Sequence, residues 1–140
     1  MSTIASVAAA PSVGNSVSIL VARIFLGVLF LVSGVGILLG GPAGFGLYLG
    51  SLGVPAATLV AWLVTVLKIV GALAVIVGFQ TRIAAYALAA FTIGAAVIGH
   101  SNLADQNEMT QFLKDFAIAG GFLLLATFGP GALSLDARRG

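Results

Sequence analysis

Four long apolar runs, parted by short polar or glycine- and proline-rich breaks, set the pattern of this chain. The first covers residues 17–39, with Arg23 as its one charge. As a helix rising ~1.5 Å per residue, it is long enough to cross a hydrocarbon core of ~30 Å. Gly40, Gly41 and Pro42 end it by removing side chains and then a backbone donor. Residues 43–54 carry Phe45, Tyr48, Leu49 and Leu52 at i, i+3, i+4 and i+7, on one helical face. That stretch is too short to span, so the pattern predicts a short helix lying at the membrane interface. A loop with the same side chains tucked inward is the alternative.

Pro55 suits a first helical turn, and a second span is predicted over residues 55–79, with Trp62 near its start. Gln80, Thr81 and Arg82 form so short a turn that the second and third spans must be antiparallel neighbours. The third, residues 83–99, is rich in alanine and carries Gly94 and Gly99. Small residues let helices approach where lipid gives no hydrophobic drive. Residues 100–111 are the most polar stretch. The fourth span is predicted over residues 112–128, and Gly129, Pro130 and Gly131 stop it. Residues 1–16 are small and polar without a basic residue, and read as an uncleaved, mobile leader; residues 132–140 read as a cytoplasmic tail. The predicted fold is all-α: a polytopic membrane protein, a bundle of four transmembrane helices with a short interfacial helix between spans one and two.

Composition narrows the function classes. With 60% hydrophobic and 7% charged residues and a mean hydropathy of +1.19, the chain lacks the charge that covers a soluble surface. Six basic and four acidic residues are too few for a phosphate-tracking patch, which argues against nucleic acid as a partner. The absence of cysteine removes thiol relays, disulfides and iron–sulfur clusters, and a single histidine removes a haem held by two histidines of one copy. A redox role therefore needs a diffusible organic carrier or a partner's cofactor. No cofactor is expected on this chain alone, and a quinone is the class left open.

Arg23, Arg82, Arg138 and Arg139 fall on the side shared by both ends, whereas Asp105, Glu108 and Lys114 fall on the other. Counted over Lys and Arg, this predicts a plasma (inner) membrane protein with both termini cytoplasmic. Arg23, Arg82, Arg138 and Arg139, with Trp62, are read as membrane anchors in contact with headgroups.

The segments ARIFLGVLFLVSGVG, AGFGLYLGSLGVP, GFQTRIAAYALA, FLKDFAIAGGFLLL and GPGALSLD, in this order and spacing, resemble the DoxX family of small four-span membrane proteins. The likeness runs from about Arg23 to Arg138. It implies a membrane partner in redox metabolism, since similar proteins include membrane subunits associated with thiosulfate:quinone oxidoreductase and others linked to thiol redox complexes. This chain departs from the family pattern at three polar positions. Ile37 stands where similar proteins often have lysine, Lys68 where they often have an acid, and Asp115 where many have asparagine.

Lys68 is the most informative residue. It lies mid-span, ~15 Å from either end, too deep for its stem to reach a headgroup. A cation there costs at least ~2.5–3.5 kcal/mol on insertion scales, which points to a ligand or partner; a neutral amine satisfied by hydroxyls and carbonyls is the alternative. Ser33 and Thr92 come to the same depth. Asp115 would restore a lysine–carboxylate pair but lies ~10 Å shallower, which leaves a water-bridged contact rather than a direct one. His100, at the outer end of span three, is either a proton donor to a quinol site or a helix cap. Lys114 and Asp115 also read as interfacial charge, and Gly120 and Gly121 as helix packing. Lys68, Ser33, Thr92, His100 and Asp115 are thus the ligand- or partner-binding candidates. No catalytic or metal site is assigned, and no catalysis by the chain alone is expected.

Three functions compete. The first is an integral subunit of a quinone-linked redox complex, with membrane lipid and other membrane or peripheral redox subunits as partners. The second is a purely structural subunit of a respiratory or photosynthetic assembly. The third is a small transporter formed as a homo-oligomer, with Lys68 lining a path.

Overall fold

A computed structural model describes residues 13–139 of the chain. The described residues form six helices in the order α1 (Val13–Gly40), α2 (Pro42–Ser51), α3 (Ala57–Val77), α4 (Thr81–Gly99), α5 (Gln106–Phe128) and α6 (Leu135–Arg139). Helices α1, α3, α4 and α5 are long and apolar enough to cross a membrane, so the protein is a bundle of four transmembrane helices. Phe25, Leu39, Leu47 and Phe128 are each more than 70% exposed, a surface that only lipid covers at low cost.

Helices α1, α4 and α5 exceed their apolar runs and α3 falls short of its run at both ends, because hydrogen bonding rather than hydropathy sets helix ends. Helix α1 starts at Val13, so residues 13–16 of the expected leader are helical; residues 1–12 lie outside the described part. Helix α5 starts at Gln106, six residues before the predicted span, because Asp105 caps it by accepting hydrogen bonds from the Asn107 and Glu108 amides. Pro55 sits in a turn two residues ahead of α3 rather than in its first turn, and Ala56 there takes a left-handed φ of 49°. Helix α2 forms where a short helix was predicted and packs on α3.

The bundle has a packed half and a hollow half. Ala72 and Val75 of α3, Ala85, Leu88 and Ala89 of α4, and Ala119, Phe122, Leu125 and Ala126 of α5 form the buried core, joined by Phe30 of α1. Phe30 meets Phe122 and Phe91 edge-to-face at 5.5 and 6.3 Å. Helix α1 lies close on α3 because Gly34 gives way to Ile69 and Lys68: a Cβ there would stand 2.8 and 2.9 Å from their side chains. Gly120 has open space beside it, and a Cβ added at Gly121 would make only ordinary contact with Leu26, so neither glycine is needed for a close helix approach.

The packed end is closed by Arg23, which is 1% exposed. Its Nη1 donates to the carbonyls of Pro130 (2.7 Å) and Leu133 (2.9 Å), and its Nη2 to that of Ile76 (3.0 Å). This corrects the reading of Arg23 as a headgroup anchor: it ties the chain after α5 to the end of α3. Gly78 ends α3 at φ 75°, and a side chain there would collide with Ser134 and Arg23. The expected free tail is likewise docked. Asp136 of α6 accepts from the Gln80 and Thr81 amides and from the Thr81 hydroxyl, capping α4 from outside. Arg82, Arg138 and Arg139 are exposed at this same end, Arg139 lying 5.0 Å from the Phe79 ring.

Candidate functional site

The hollow half holds a cavity of about 460 Å³, within the usual range for small-molecule sites. Its floor is Phe30, at the edge of the packed core. Leu29 and Ser33 come from α1, Val64 and Lys68 from α3, and Phe91 and Thr92 from α4. Asp115 and Ile118 come from α5, and His100 stands at the mouth. All five residues singled out as binding candidates, Lys68, Ser33, Thr92, His100 and Asp115, line this one space. Ile37, the third departure from the family pattern, does not.

Helix α2 closes the side of the cavity. Phe45, Tyr48, Leu49 and Leu52, the face predicted to lie in the interface, line the cavity instead, while Leu47 points away and is 80% exposed. The helix follows the first expectation and the inward direction follows its alternative. Gly46 permits the close approach of α2 to Thr58, where a Cβ would stand 3.2 Å from the backbone. Gly94, Ala95 and Gly99 of α4 also line the cavity, and Gly94 has open space beside it. Some of the small residues expected to tighten helix packing therefore make room.

Lys68 is half-buried mid-helix, and its Nζ donates to Ser33 Oγ at 2.7 Å. The amine lies 5.5 Å from the Phe91 ring centroid and 6.0 Å from that of Phe45. Phe45 was legible only as part of the apolar face of α2, and Phe91 not at all, because an aromatic residue in an apolar run carries no mark of which way it faces. Thr92 donates to the Leu88 carbonyl of its own helix at 2.6 Å, which leaves its oxygen as an acceptor toward the cavity. Asp115 forms no ion pair with Lys68, yet shares the cavity wall with both Lys68 and His100.

His100 ends α4, its amide bonded to the Ala96 carbonyl, while its Nδ1 lies 3.1 Å from Glu108 Oε2. His100 is thus the C-cap of α4 through its amide, while its ring turns to α5. In the sequence Glu108 counts only as a charge on the outer side, since nothing there brings position 108 back to position 100. Trp62, 48% exposed, lies on the outer surface. What the cavity offers is an apolar slot with one amine, three hydroxyls (Ser33, Thr92 and Tyr48) and a carboxylate, with the partly exposed His100 at one end.

The comparisons with known proteins agree with this architecture. The DoxX profile matches residues 18–101. Inner membrane protein YqjF of Escherichia coli K12 is 44% identical over 122 residues, covering 87% of this chain and 92% of that protein. Inner membrane protein YphA of the same organism is 39% identical over 127 residues, covering 87% and 90%. No solved structure matches. With four membrane-crossing helices, a family profile matched over most of the chain and two full-length inner membrane relatives, this protein belongs to the DoxX family.

Proposed function

We propose that this chain is an integral subunit of a redox complex and that its cavity binds a quinone. The observation that carries this reading is Lys68, an amine held at mid-membrane in a mostly apolar slot with one hydroxyl as its hydrogen-bonding partner. A quinone carbonyl would accept a further N–H from that amine, its ring would pack by Phe45 and Phe91, and its tail is soluble in the surrounding lipid. A chain without cysteine and with one histidine leaves metal centres and thiol chemistry to a partner subunit. The orientation we propose puts the end bearing Arg82, Arg138 and Arg139 in the cytoplasm.

A second reading, a structural subunit of a larger membrane assembly, draws on the apolar groove of about 480 Å³ between α1 and α5, lined by Phe25, Leu26, Leu124 and Phe128 among others. Native purification in mild detergent separates the two readings. The first predicts a co-purifying redox subunit and an extractable quinone. Partners without quinone favour the second, and a protein that purifies alone without quinone overturns the first.

A further inference from the structure

The two ends of the bundle treat Lys68 differently. Toward the Arg23 end the amine is shut off by Ala72, Val75, Leu88 and Phe122, all fully buried. Toward the loop between α4 and α5, a file of ionisable groups leads outward. Asp115 comes first, half-buried in the wall of the same cavity that Lys68 and His100 line. His100 and Glu108 follow, their side chains 30% and 35% exposed and 3.1 Å apart. Among the described residues, the only other titratable group on the wall is Tyr48 of α2; α1 adds only the Ser33 hydroxyl, and the exposed Asp105 and Lys114 do not line the cavity. A carboxylate–imidazole–carboxylate file rimmed by water is the chemistry of a proton relay, with waters spanning gaps too long for a direct hydrogen bond.

We propose that Glu108, His100 and Asp115 form a one-sided proton line between the aqueous phase at the α4–α5 loop and Lys68. When a cavity ligand takes a proton from Lys68 Nζ, the N–H bond broken there is remade with a proton from Asp115. Asp115 is refilled through the His100–Glu108 pair from water. One proton leaves the water for each delivered and no electron moves, so the line holds whether or not the ligand is a quinone.

The chain has two lysines, so Lys114→Arg protein labelled with ¹⁵N at lysine Nζ reports Lys68 alone. It is reconstituted in one orientation in proteoliposomes, and the pH of one compartment is stepped. The Lys68 signal is expected to follow the loop side and ignore the α6 side, and Asp115→Asn is expected to slow the response at least about tenfold. A signal that follows the α6 side, follows both sides equally, fails to move between about pH 5 and about pH 10, or is unaffected by Asp115→Asn overturns the line. Ser33→Cys, in a chain otherwise free of cysteine, gives a second reading that needs no change in the line itself. A membrane-impermeant thiol reagent is expected to label it from the loop side; labelling only from the α6 side, or none, contradicts the proposal.

Discussion

Arg23 donates through its two Nη atoms to backbone carbonyls from two separate parts of the chain, Ile76 before the α3–α4 turn and Pro130 and Leu133 after α5, while its buried Nε has no partner among the described residues. A lysine has neither the reach nor the planarity to bond all three carbonyls. Arg23→Met is therefore expected to lower stability by on the order of 3 kcal/mol, read as thermal unfolding in detergent. Lys68 is the opposite case, an amine whose hydrogen bond to Ser33 holds little together. Lys68→Met keeps the length of the side chain and removes the cost of a mid-membrane charge. The unfolding temperature is expected to stay level or rise while ligand binding falls, and a clear loss of stability would show that the amine is structural. Both residues were visible in the sequence as charges inside apolar runs. Which one was satisfied and which one faced space was not visible, because that depends on the Pro130 and Ser33 positions brought in from distant segments.

Helix existence was legible in the apolar runs; helix ends were not, because caps come from outside them. Asp136 is the clearest case, reaching from α6 to the first turn of α4. Partial burial pushes its carboxyl up, but the hydrogen bonds from Thr81 and Gln80 and the charge of Arg139 together hold it below its ordinary value. A group depressed in this way stabilises the fold fully above its unfolded pKa of about 3.9 and loses that effect as pH falls through the lower folded value. The difference in unfolding temperature between wild type and Asp136→Ala is expected to be constant from about pH 7 to about pH 5 and to shrink below about pH 4. Contact between α1 and α3 is tested at Gly34, where an added methyl meets Ile69 and Lys68. Gly34→Ala is expected to cost about 1–3 kcal/mol, measured as the shift in thermal unfolding.

At the scale of the molecule, one half of the bundle is built for packing and the other for space, and the alanines and glycines serve both. Ala85, Ala89 and Ala96 are buried in helix contacts, while Gly94 and Ala95, on the same helix, open the cavity wall. Sequence composition gave the small residues without their direction, so the candidate residues were found one by one and only the fold gathered them. Filling that space should separate binding from folding: Gly94→Leu has room and removes a flexible glycine from a helix, so it is expected to leave the unfolding temperature level or raised. The central claim is that the hollow half is a ligand site organised by Lys68. Calorimetric titration of a short-tailed quinone into the purified protein tests it most directly. The account predicts one saturable site in the wild type and a Kd raised about tenfold or more in Lys68→Met, the loss of a hydrogen bond from a charged donor. No saturable binding to the wild type, or the same Kd in both proteins, would contradict it.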